Sequence, residues 1–495
     1  MVYGQQLHSF ETMGARASSQ RALTTMKAFR RNFLAVLTFG LCVATAQAAP
    51  SVYPTGVTVY DPAKAYNTYV AYGAPDGKSH LIDMNGNEVH TWPYLGFPTE
   101  ILDPKVTGGK KGHVLVQLSA IDQSEQAFNG IFNNKTIGEL DWDGKVVWQW
   151  GEQAPGGAAR QNHDWYRLAN GNTLVVTTLH HVIAAFSDKP IADQAIHEVT
   201  PAGDIVWTWI VSDHINEFGL SAEGLDLLRK ALANGFEGHG FLTINDMEVI
   251  GPNKWAKAGD DRFNPDNIVV DSREASFIAI IDKKTGTIVW RLGPDYPTTR
   301  PPPPRPGFSA QIAPLRPVFS DTVPRPVDQT SGQHDAHIIP EGLPGAGNML
   351  VFDNEGPAGF PPARLSVQLG SRVLEIDPIK NEIVWQYTAL DSQQPNWGFY
   401  SSFISSARRL PNGNTLIDEG MTGRIFQVTP KGEIAWEYVN PHFAPTELRG
   451  GRTAQSNWVY RAQPVPYDWV PAGTPHSEKA VTPPSLADFH LPVTK

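Results

Sequence analysis

Two His-Asp pairs stand at equivalent positions of a repeated sequence phrase, and histidine is the residue best suited to nucleophilic or acid–base chemistry near neutral pH. The pairs are His163-Asp164 and His334-Asp335. A neutral imidazole nitrogen is a competent nucleophile, and the ring also transfers protons. A lone strand histidine is more often a hydrogen-bonded structural residue, but polar residues at equivalent repeat positions are unexpected if they only pack. The pattern favours a site where these histidines meet.

A second histidine follows His334 closely, which raises the question of a metal site. The segment His334-Asp335-Ala336-His337 offers several ligands suited to zinc. On a regular strand, residues three apart point to opposite faces, so joint ligation by His334 and His337 needs a bend between them. We therefore predict no metal and no other cofactor. Asp335 and His337 are instead candidate substrate-binding residues.

The composition of the chain excludes several other classes of site. Of its 495 residues, 18 % are charged, and 44 are Gly, 41 Pro and 14 Trp. An average globular chain is about 25 % charged, so this chain is polar through Gly, Asn, Thr and Pro, which favours short strands and turns. The single cysteine, Cys42, lies in the N-terminal leader, which excludes disulfides and cysteine nucleophiles in the mature chain. The net charge of −10 argues against a nucleic-acid partner.

The N-terminal segment has the pattern of an export signal. A basic stretch, Met26–Arg31, precedes the apolar run Asn32–Thr45 and the small-residue site Ala46-Gln47-Ala48. This order predicts that residues 1–48 form a Sec-type signal peptide with an upstream extension, which is cleaved. Residues 49–495 contain no further apolar run of about 18 residues. We therefore expect a periplasmic or secreted protein without a membrane anchor after cleavage.

One sequence phrase recurs six times along the chain. It consists of a turn with Gly or Asn, an alternating apolar run and an aromatic residue, and each copy reads as a hairpin turn that enters a strand. The copies lie at residues 83–92, 141–150, 200–209, 282–290, 377–385 and 429–438. The Trp that recurs in this phrase is predicted to pack between repeats.

A second phrase, strand, Asn-Gly-Asn or a variant, strand, alternates with the first. Its clearest copies are residues 166–176 and 409–417, and its looser copies are 101–116, 247–270 and 338–352. Two hairpins in each unit make a four-stranded antiparallel sheet, and ring closure buries both faces of such sheets. A pair of β-sandwiches does not explain the strict alternation. We predict an all-β fold, a single six-bladed β-propeller over residues 49–495.

Three insertions interrupt the repeats. Residues 213–238 show helical spacing over Ser221–Leu232, which predicts a short helix. Residues 294–328 are rich in proline and predict a loop without regular structure, and residues 389–398 form a shorter loop. Long insertions in a propeller usually cap one mouth of the central channel. We expect the starts of the innermost strands, which carry the His-Asp pairs, to converge at that mouth.

Three segments together resemble the bacterial arylsulfate sulfotransferase (ASST) family. They are His163–Leu174, Asp271–Gly293 and Gly332–Asn354, and the resemblance runs in matching order from about Leu81 to Pro441. Members of this family are periplasmic six-bladed propellers that move a sulfuryl group from a phenolic sulfate to a phenol. They use no nucleotide sulfate donor and form a covalent sulfohistidine. The resemblance therefore implies a small anionic, aromatic substrate as the partner.

The resemblance also assigns roles to individual residues. His334 matches the histidine of the family's Gln-His motif, which implies a role as sulfuryl ligand or acid–base residue. His163 is the second candidate catalytic histidine. Arg273 and Asn354 lie in the matching segments and are candidate ligands of the anionic substrate.

Two positions depart from the family pattern. In the fourth repeat the family reads aromatic-X-His-Ile-Asn-Ser, whereas this chain reads Phe241-Leu-Thr-Ile-Asn-Asp246. Thr243 replaces the family's histidine there, while Asn245 is retained, and both are candidate substrate-binding residues. The family's covalent histidine lies in the last blade, but residues 399–438 contain no histidine, and a loose alignment places Arg424 near that position. Arginine cannot be the nucleophile, although it can bind an anion through two hydrogen bonds.

Three functions are therefore compatible with the sequence. The first is sulfuryl transfer with another nucleophile, His163 or His334, or by direct transfer between bound donor and acceptor. The second is a lyase or hydrolase that uses the same histidines and arginines on another anionic substrate. The third is a propeller that binds a ligand without turnover. The sequence names no substrate and leaves homo-oligomerisation open.

Overall fold

Antiparallel sheets repeat six times along the chain and close into a ring, so the all-β, six-bladed β-propeller predicted from the sequence is confirmed. The computed structural model describes residues 54–120, 131–220, 222–233, 242–293, 330–356, 358, 370–448 and 452–483. The predicted signal peptide and the proline-rich insertion 294–328 lie outside the described residues.

The first half of the ring contains three blades, each ordered from its innermost to its outermost strand. Blade 1 consists of β27 (Ala462–Val465), β2 (Tyr69–Gly73), β3 (Ser79–Ile82) and β4 (Glu88–Trp92). Blade 2 consists of β5 (Glu100–Ile101), β6 (Val114–Ala120), β7 (Asn134–Leu140) and β8 (Val146–Trp150). Blade 3 consists of β9 (Gln161–Arg167), β10 (Thr173–Val182), β11 (Pro190–Val199) and β12 (Ile205–Ile210).

The second half of the ring follows the same order. Blade 4 consists of β13 (Ile244–Val249), β14 (Ile268–Ser272), β15 (Phe277–Ile281) and β16 (Ile288–Leu292). Blade 5 consists of β17 (His334–Ile338), β18 (Met349–Asp353), β19 (Arg372–Asp377) and β20 (Glu382–Tyr387). Blade 6 consists of β21 (Ser406–Arg409), β22 (Thr415–Glu419), β23 (Arg424–Val428), β24 (Ile434–Val439) and an added edge strand, β1 (Gly56–Tyr60).

Both ends of the propeller domain take part in closing the ring. The C-terminal strand β27 pairs with β2 as the innermost strand of blade 1. The N-terminal strand β1 pairs with β24 as the outermost strand of blade 6. A separate hairpin, β25 (Ala444–Leu448) and β26 (Arg452–Ser456), connects β24 to β27. The C-terminal strand therefore completes the first blade and the N-terminal strand extends the last blade, which joins the two blades.

The recurring Trp residues form a ring of hydrogen bonds between neighbouring blades, which confirms their predicted packing role. In each blade the indole N–H of the Trp on the fourth strand from the channel donates to a backbone carbonyl in the next blade's outer turn. The pairs are Trp92–Asp141, Trp150–Gly203, Trp209–Gly286, Trp290–Pro378, Trp385–Pro430 and Trp436–Met84, at 2.7–3.2 Å. The last pair joins blade 6 to blade 1 and completes the circle.

The apolar core lies mainly between the blades. Six clusters of buried apolar side chains each draw on two neighbouring blades. One further cluster among the described residues lies at the channel mouth and joins residues of separate blades, with Phe97, Ile404, Trp458 and Tyr460 among its buried members. Burial of apolar side chains between the sheets therefore holds the blades together, in addition to the hydrogen bonds of the Trp ring.

The two faces of the ring differ in their connections. The repeated tight turns join strands at the lower face, whereas the innermost strands begin at the upper face. The predicted helix forms as α1 (Ala222–Ala233), between β12 and β13 at the upper face. The loop predicted at residues 389–398 contains two short 3-10 turns, Ala389–Ser392 and Asn396–Gly398, at the same face.

No helix among the described residues is both long and apolar enough to cross a bilayer.

Candidate active site at the upper face

His163 lies in a β-bulge near the start of β9. The pairing with β10 shifts register between Gln161 and Trp165, and His163 has a φ of 68°. Bulges re-aim side chains at functional sites, and the left-handed conformation is uncommon for histidine. Its Nδ1 hydrogen-bonds to the Asn162 side-chain oxygen, and the Asn162 amide donates to Thr178 at 2.6 Å. Since that oxygen can only accept, Nδ1 carries the proton and Nε2 carries the lone pair.

Aromatic rings surround His163 at the channel mouth. Phe132 stacks on the imidazole at 4.5 Å between centroids, and Phe97 and Tyr460 lie 6.1 and 6.0 Å away. Phe97 and Tyr460 in turn stack on each other at 3.9 Å. The walls of the channel mouth beside His163 are therefore aromatic, and Phe97 and Tyr460 are buried there.

His334 lies at the equivalent place in blade 5, but both of its ring nitrogens have partners from the chain. Nδ1 donates to the Asn354 side-chain oxygen at 2.7 Å and lies 3.0 Å from the Gly332 carbonyl. Nε2 accepts the Ile404 backbone N–H at 3.1 Å. Burial, with the nearby positive charge of Arg273, lowers the pKa of His334 to about 3. The ring is therefore neutral and anchors the loop before β21.

Asn245 and Asn354 connect the two histidines through the upper face. Asn245 donates to the Gln333 carbonyl at 3.0 Å, and its side-chain oxygen accepts the Arg273 backbone N–H at 2.6 Å. The Tyr460 hydroxyl donates to the Asn245 carbonyl at 2.6 Å. Asn354 donates to two carbonyls in the loop before β21, at 2.7 and 2.8 Å. The structure therefore brings His334, Asn354, Asn245 and Arg273 together, as expected.

Arg273 supplies a cation at this mouth from the connection between β14 and β15. Its Nη1 pairs with Glu274 at 3.0 Å, and its Nη2 lies 3.4 Å from the Ser402 carbonyl. The Nε–H has no hydrogen-bond acceptor among the described residues, although the atom is buried. About 23 % of the side chain is exposed. Arg273 therefore has donor capacity left for an anionic group.

Below the mouth, a network of charges crosses the channel. Arg461 contacts Asp164, Asp246 and Asp335 at 2.6–3.1 Å, which ties blade 1 to blades 3, 4 and 5. Arg408 of blade 6 reaches Asp335 at 2.5 Å. Burial raises the pKa of Asp164 and Asp246, while Arg461 opposes that rise. The charged residues close the channel beneath the mouth.

This network gives the Asp of each His-Asp pair a structural task. The Asp164 and Asp335 carboxylates each accept a backbone N–H of the next blade's innermost strand, from Met247 and Ala407, at 2.9 Å. Their repetition along the sequence is explained by these contacts between blades. The role of Asp335 in substrate binding stays a prediction.

His337 lies one step further into the channel than His334. The bend that joint ligation requires is present, because Asp335 has a φ of 61° and the pairing of β17 shifts register between His334 and His337. The Nδ1 of His337 lies 2.9 Å from the Asp335 carbonyl. Burial, with Arg408 nearby, lowers the pKa of His337. His337 is separated from the mouth, where an incoming substrate would first meet the protein.

Arg424 lies away from the innermost strands, whereas Thr243 directly precedes one of them. Arg424 begins β23, the third strand from the channel, and not an innermost strand. It is buried against Glu419 and Glu437 at 3.0 and 2.7 Å, so two carboxylates already neutralise its charge. Thr243 is buried immediately before β13. Anion binding by Arg424 and substrate contact by Thr243 stay predictions.

Sequence analysis missed Tyr460, Arg461 and Arg408. Tyr460 and Arg461 precede β27 and lie beyond the last repeated phrase, so nothing marked them as part of a blade. Their place matches that of Ser405 and Ser406 before β21, and aligning the C-terminal strand with the other innermost strands would have found them.

Comparison with known families adds to this geometry. A family model described as arylsulfotransferase (ASST) matches residues 110–443, about two thirds of the chain. The chain belongs to the arylsulfotransferase family. The match spans blades 2 to 6, so it includes His163, Arg273 and His334 of this family member. It leaves out Tyr460 and Arg461, which the C-terminal strand brings back to the channel.

Solved structures resemble this arylsulfotransferase-family chain only in outline. A protein of unknown function from Bacteroides caccae is 12 % identical with a TM-score of 0.41, covering 81 % of this chain and 99 % of its own. The Dos1 propeller is 9 % identical with a TM-score of 0.33, covering 81 % and 82 %. A streptogramin B lyase is 12 % identical with a TM-score of 0.36, covering 83 % and 91 %. No curated protein sequence matches the chain.

Proposed function

We propose that this protein transfers a sulfuryl group from a phenolic sulfate to a phenol, without a nucleotide sulfate donor, at the upper mouth of the channel. Arg273 is the observation that carries the proposal, since its Nε–H has no hydrogen-bond acceptor among the described residues and would bind an anionic ester. A sulfuryl group in transfer spreads negative charge over three oxygens, which such a donor stabilises. Family membership and the aromatic rings at the mouth support the same substrate class.

His163 is the proposed nucleophile. Its Nε2 lone pair attacks the sulfur while the sulfur–oxygen bond to the donor breaks, and the leaving phenolate takes a proton from solvent. The acceptor phenol oxygen then attacks the sulfur, the nitrogen–sulfur bond breaks and the phenol proton goes to solvent. The hydrogen bond from Nδ1 to Asn162 holds the ring in the required tautomer and disperses the positive charge that develops on it.

His334 is proposed to be a positioning residue that holds the loop before β21 in place. Its two hydrogen bonds hold Asn354 and the loop before β21, which carries the Ser402 carbonyl that faces Arg273. A neutral histidine can hold both contacts at once, one as donor and one as acceptor.

A ligand-binding propeller without turnover is the second candidate function. It is favoured by the partners of His334, whose ring nitrogens are both engaged, and by the two carboxylates that neutralise Arg424. Under this alternative Arg273 would still bind the anionic group, but the ligand would not react when an acceptor phenol is added.

A donor–acceptor assay tests these functions. The purified protein receives 4-nitrophenyl sulfate with and without phenol, and nitrophenol release is followed at pH 7–9. We expect phenol-dependent release that falls at least about 100-fold in His163→Gln and Arg273→Met, because nucleophile and charge stabilisation are lost. His476→Ala, at an exposed histidine, is the matched control and keeps wild-type rates.

Each other outcome assigns a different function. Release without phenol indicates hydrolysis. Binding of 4-nitrophenyl sulfate without release indicates the ligand-binding propeller. Full transfer by His163→Gln would contradict the assigned nucleophile and leave sulfuryl transfer standing.

The proposed place of action is the periplasm or the exterior of the cell. The Sec-type pattern of residues 26–48 supports export, and a small-molecule anionic aromatic substrate is the only partner that we propose. Cell fractionation and N-terminal sequencing test this, and the expected first residue of the exported protein is Ala49.

A further inference from the structure

We propose that Asp76, His80 and His442 bind one Zn²⁺ ion at the junction of blades 1 and 6. This cluster combines two imidazoles with one carboxylate, a donor set that suits zinc and related transition metals better than Mg²⁺ or Ca²⁺. Asp76 and His80 lie four residues apart, and ring closure brings His442 to them from a distant part of the chain. The proposal does not depend on sulfuryl transfer.

The ligand atoms have the spacing of a metal site. One nitrogen from each ring and one Asp76 oxygen lie within 4.8 Å of one another. The His80 Nε2 is 3.2 Å from the Asp76 carboxylate, and the His442 Nδ1 is 3.8 Å from it. Ligands about 2.0–2.1 Å from zinc in a tetrahedron stand roughly 3.3 Å apart, so small shifts suffice to bind the ion.

Glu88 orients both rings from the opposite side. Its Oε2 lies 2.6 Å from the His80 Nδ1 and 3.2 Å from the His442 Nε2. When Glu88 accepts an N–H from each neutral ring, the remaining lone pairs of both histidines face Asp76. In that tautomer the Asp76 carboxylate faces two lone pairs, an arrangement that a cation between them stabilises. Carboxylates that fix the tautomer of metal-binding histidines are a regular feature of zinc sites.

Of the two histidines, His442 is the one whose ring can turn to complete the site. The His80 and His442 rings are stacked at 3.8 Å with 14° between their planes, so one ring must turn for both lone pairs to point at one ion. His80 is fixed, because its side chain is only 2 % exposed and lies against Tyr72. His442 is 28 % exposed and follows β24 in a connection rather than in a strand. It can turn without disturbing a sheet.

The ion would strengthen the last interface of the ring. Asp76 and His80 belong to blade 1, whereas His442 begins the segment that leaves blade 6. Beside them, the hydroxyls of Tyr72 and Tyr438 hydrogen-bond across the same interface at 2.7 Å.

The test measures zinc binding by the purified protein after treatment with a chelator and dialysis. Wild type is expected to bind one Zn²⁺ per chain. Its unfolding temperature should rise with Zn²⁺ and should not change with Mg²⁺ or Ca²⁺. His442→Ala is expected to lose the bound ion and the thermal shift. Glu88→Gln keeps the three ligands but removes the carboxylate that accepts a hydrogen bond from both rings. The affinity of this variant for Zn²⁺ should therefore fall roughly 10- to 100-fold.

His181→Ala is the matched control. It removes a histidine that pairs with Asp193 at 2.8 Å and does not belong to the cluster of Asp76, His80 and His442, so zinc binding should equal that of wild type. Should His442→Ala not fold, Asp76→Asn replaces it with the same expected loss. Wild type without a bound equivalent, or His442→Ala with one, would overturn the proposal.

Discussion

His163 and His334 occupy equivalent places in blades 3 and 5, yet their ring nitrogens have different partners. His163 has its Nδ1 held by Asn162, whereas His334 is held at Nδ1 by Asn354 and at Nε2 by a backbone N–H. At the same repeat position, His334 therefore anchors a loop, whereas His163 is the nucleophile that we propose. The difference comes from the neighbours and not from the repeat.

The anchoring role of His334 predicts a loss of stability on substitution. His334→Ala leaves the Asn354 oxygen and the Ile404 N–H without their buried partner, which is expected to cost about 2–4 kcal/mol in the free energy of unfolding. Urea unfolding measures this, with the exposed His476→Ala as the control. A variant that keeps its stability but loses sulfuryl transfer would instead support the catalytic role implied by the family resemblance.

At the scale of elements, the blades share two devices that hold neighbours together. The fourth strand of each blade presents a Trp to the next blade's turn, and several innermost strands present a side-chain oxygen to the next blade's backbone. The first device lies at the outer edge of the ring and the second at the channel. Each sheet is therefore joined to its neighbours at both ends of its strand order.

The closing Trp contact predicts a measurable cost for its removal. Trp436→Phe keeps most of the apolar area but removes the 2.7 Å donation to the Met84 carbonyl at a fully buried position. The expected loss is about 1–3 kcal/mol, because the carbonyl stays buried without a donor. Thermal or urea unfolding checks this. Trp397→Phe, at a side chain that is 70 % exposed, should leave stability unchanged.

At the scale of the whole molecule, the C-terminal strand decides how the channel is closed. β27 places Arg461 among carboxylates of three other blades, which makes one residue a common contact of blades 1, 3, 4 and 5. The same segment brings Tyr460 to the mouth, where its ring stacks on Phe97. Ring closure thus builds the floor of the candidate site and part of its wall.

Removal of the Arg461 charge should destabilise the protein in a pH-dependent way. Arg461→Met leaves buried carboxylates without their cation, a change that typically costs about 3–5 kcal/mol. Burial already raises the pKa of Asp164 and Asp246, and loss of Arg461 raises these pKa values further. Folded carboxyls with raised pKa values stabilise the protein while protonated, and this stability is lost as pH rises through the folded pKa.

The deficit of Arg461→Met relative to wild type should therefore be larger at pH 8 than at pH 5. Urea unfolding at both pH values measures it, with Trp397→Phe as a variant whose stability should match wild type at each pH. An equal deficit at the two pH values would show that lost packing, and not lost charge, destabilises the variant.

Fold and repeat assignment could be predicted because their signals are local. The alternation of two short phrases reports strands and turns within about ten residues, and apolar spacing over Ser221–Leu232 predicted a helix that forms at Ala222–Ala233. The recurring Trp predicted packing between blades for the same reason. These three residues also stand at the starts of equivalent strands in the repeat, so the sequence predicted that they lie at one face of the ring: His163, Asn245 and His334.

The side chains that each charged residue or histidine contacts could not be predicted, because these contacts join residues far apart in the chain. Arg424 was expected among the residues of the channel, but it begins a third strand and lies between two glutamates. Arg461 lies 297 residues from Asp164, and His442 meets His80 across the closing interface. The sequence alone determined which strands form and which residues start them. Only ring closure decided which charges and imidazoles meet, since burial in a propeller is created between blades and not within them.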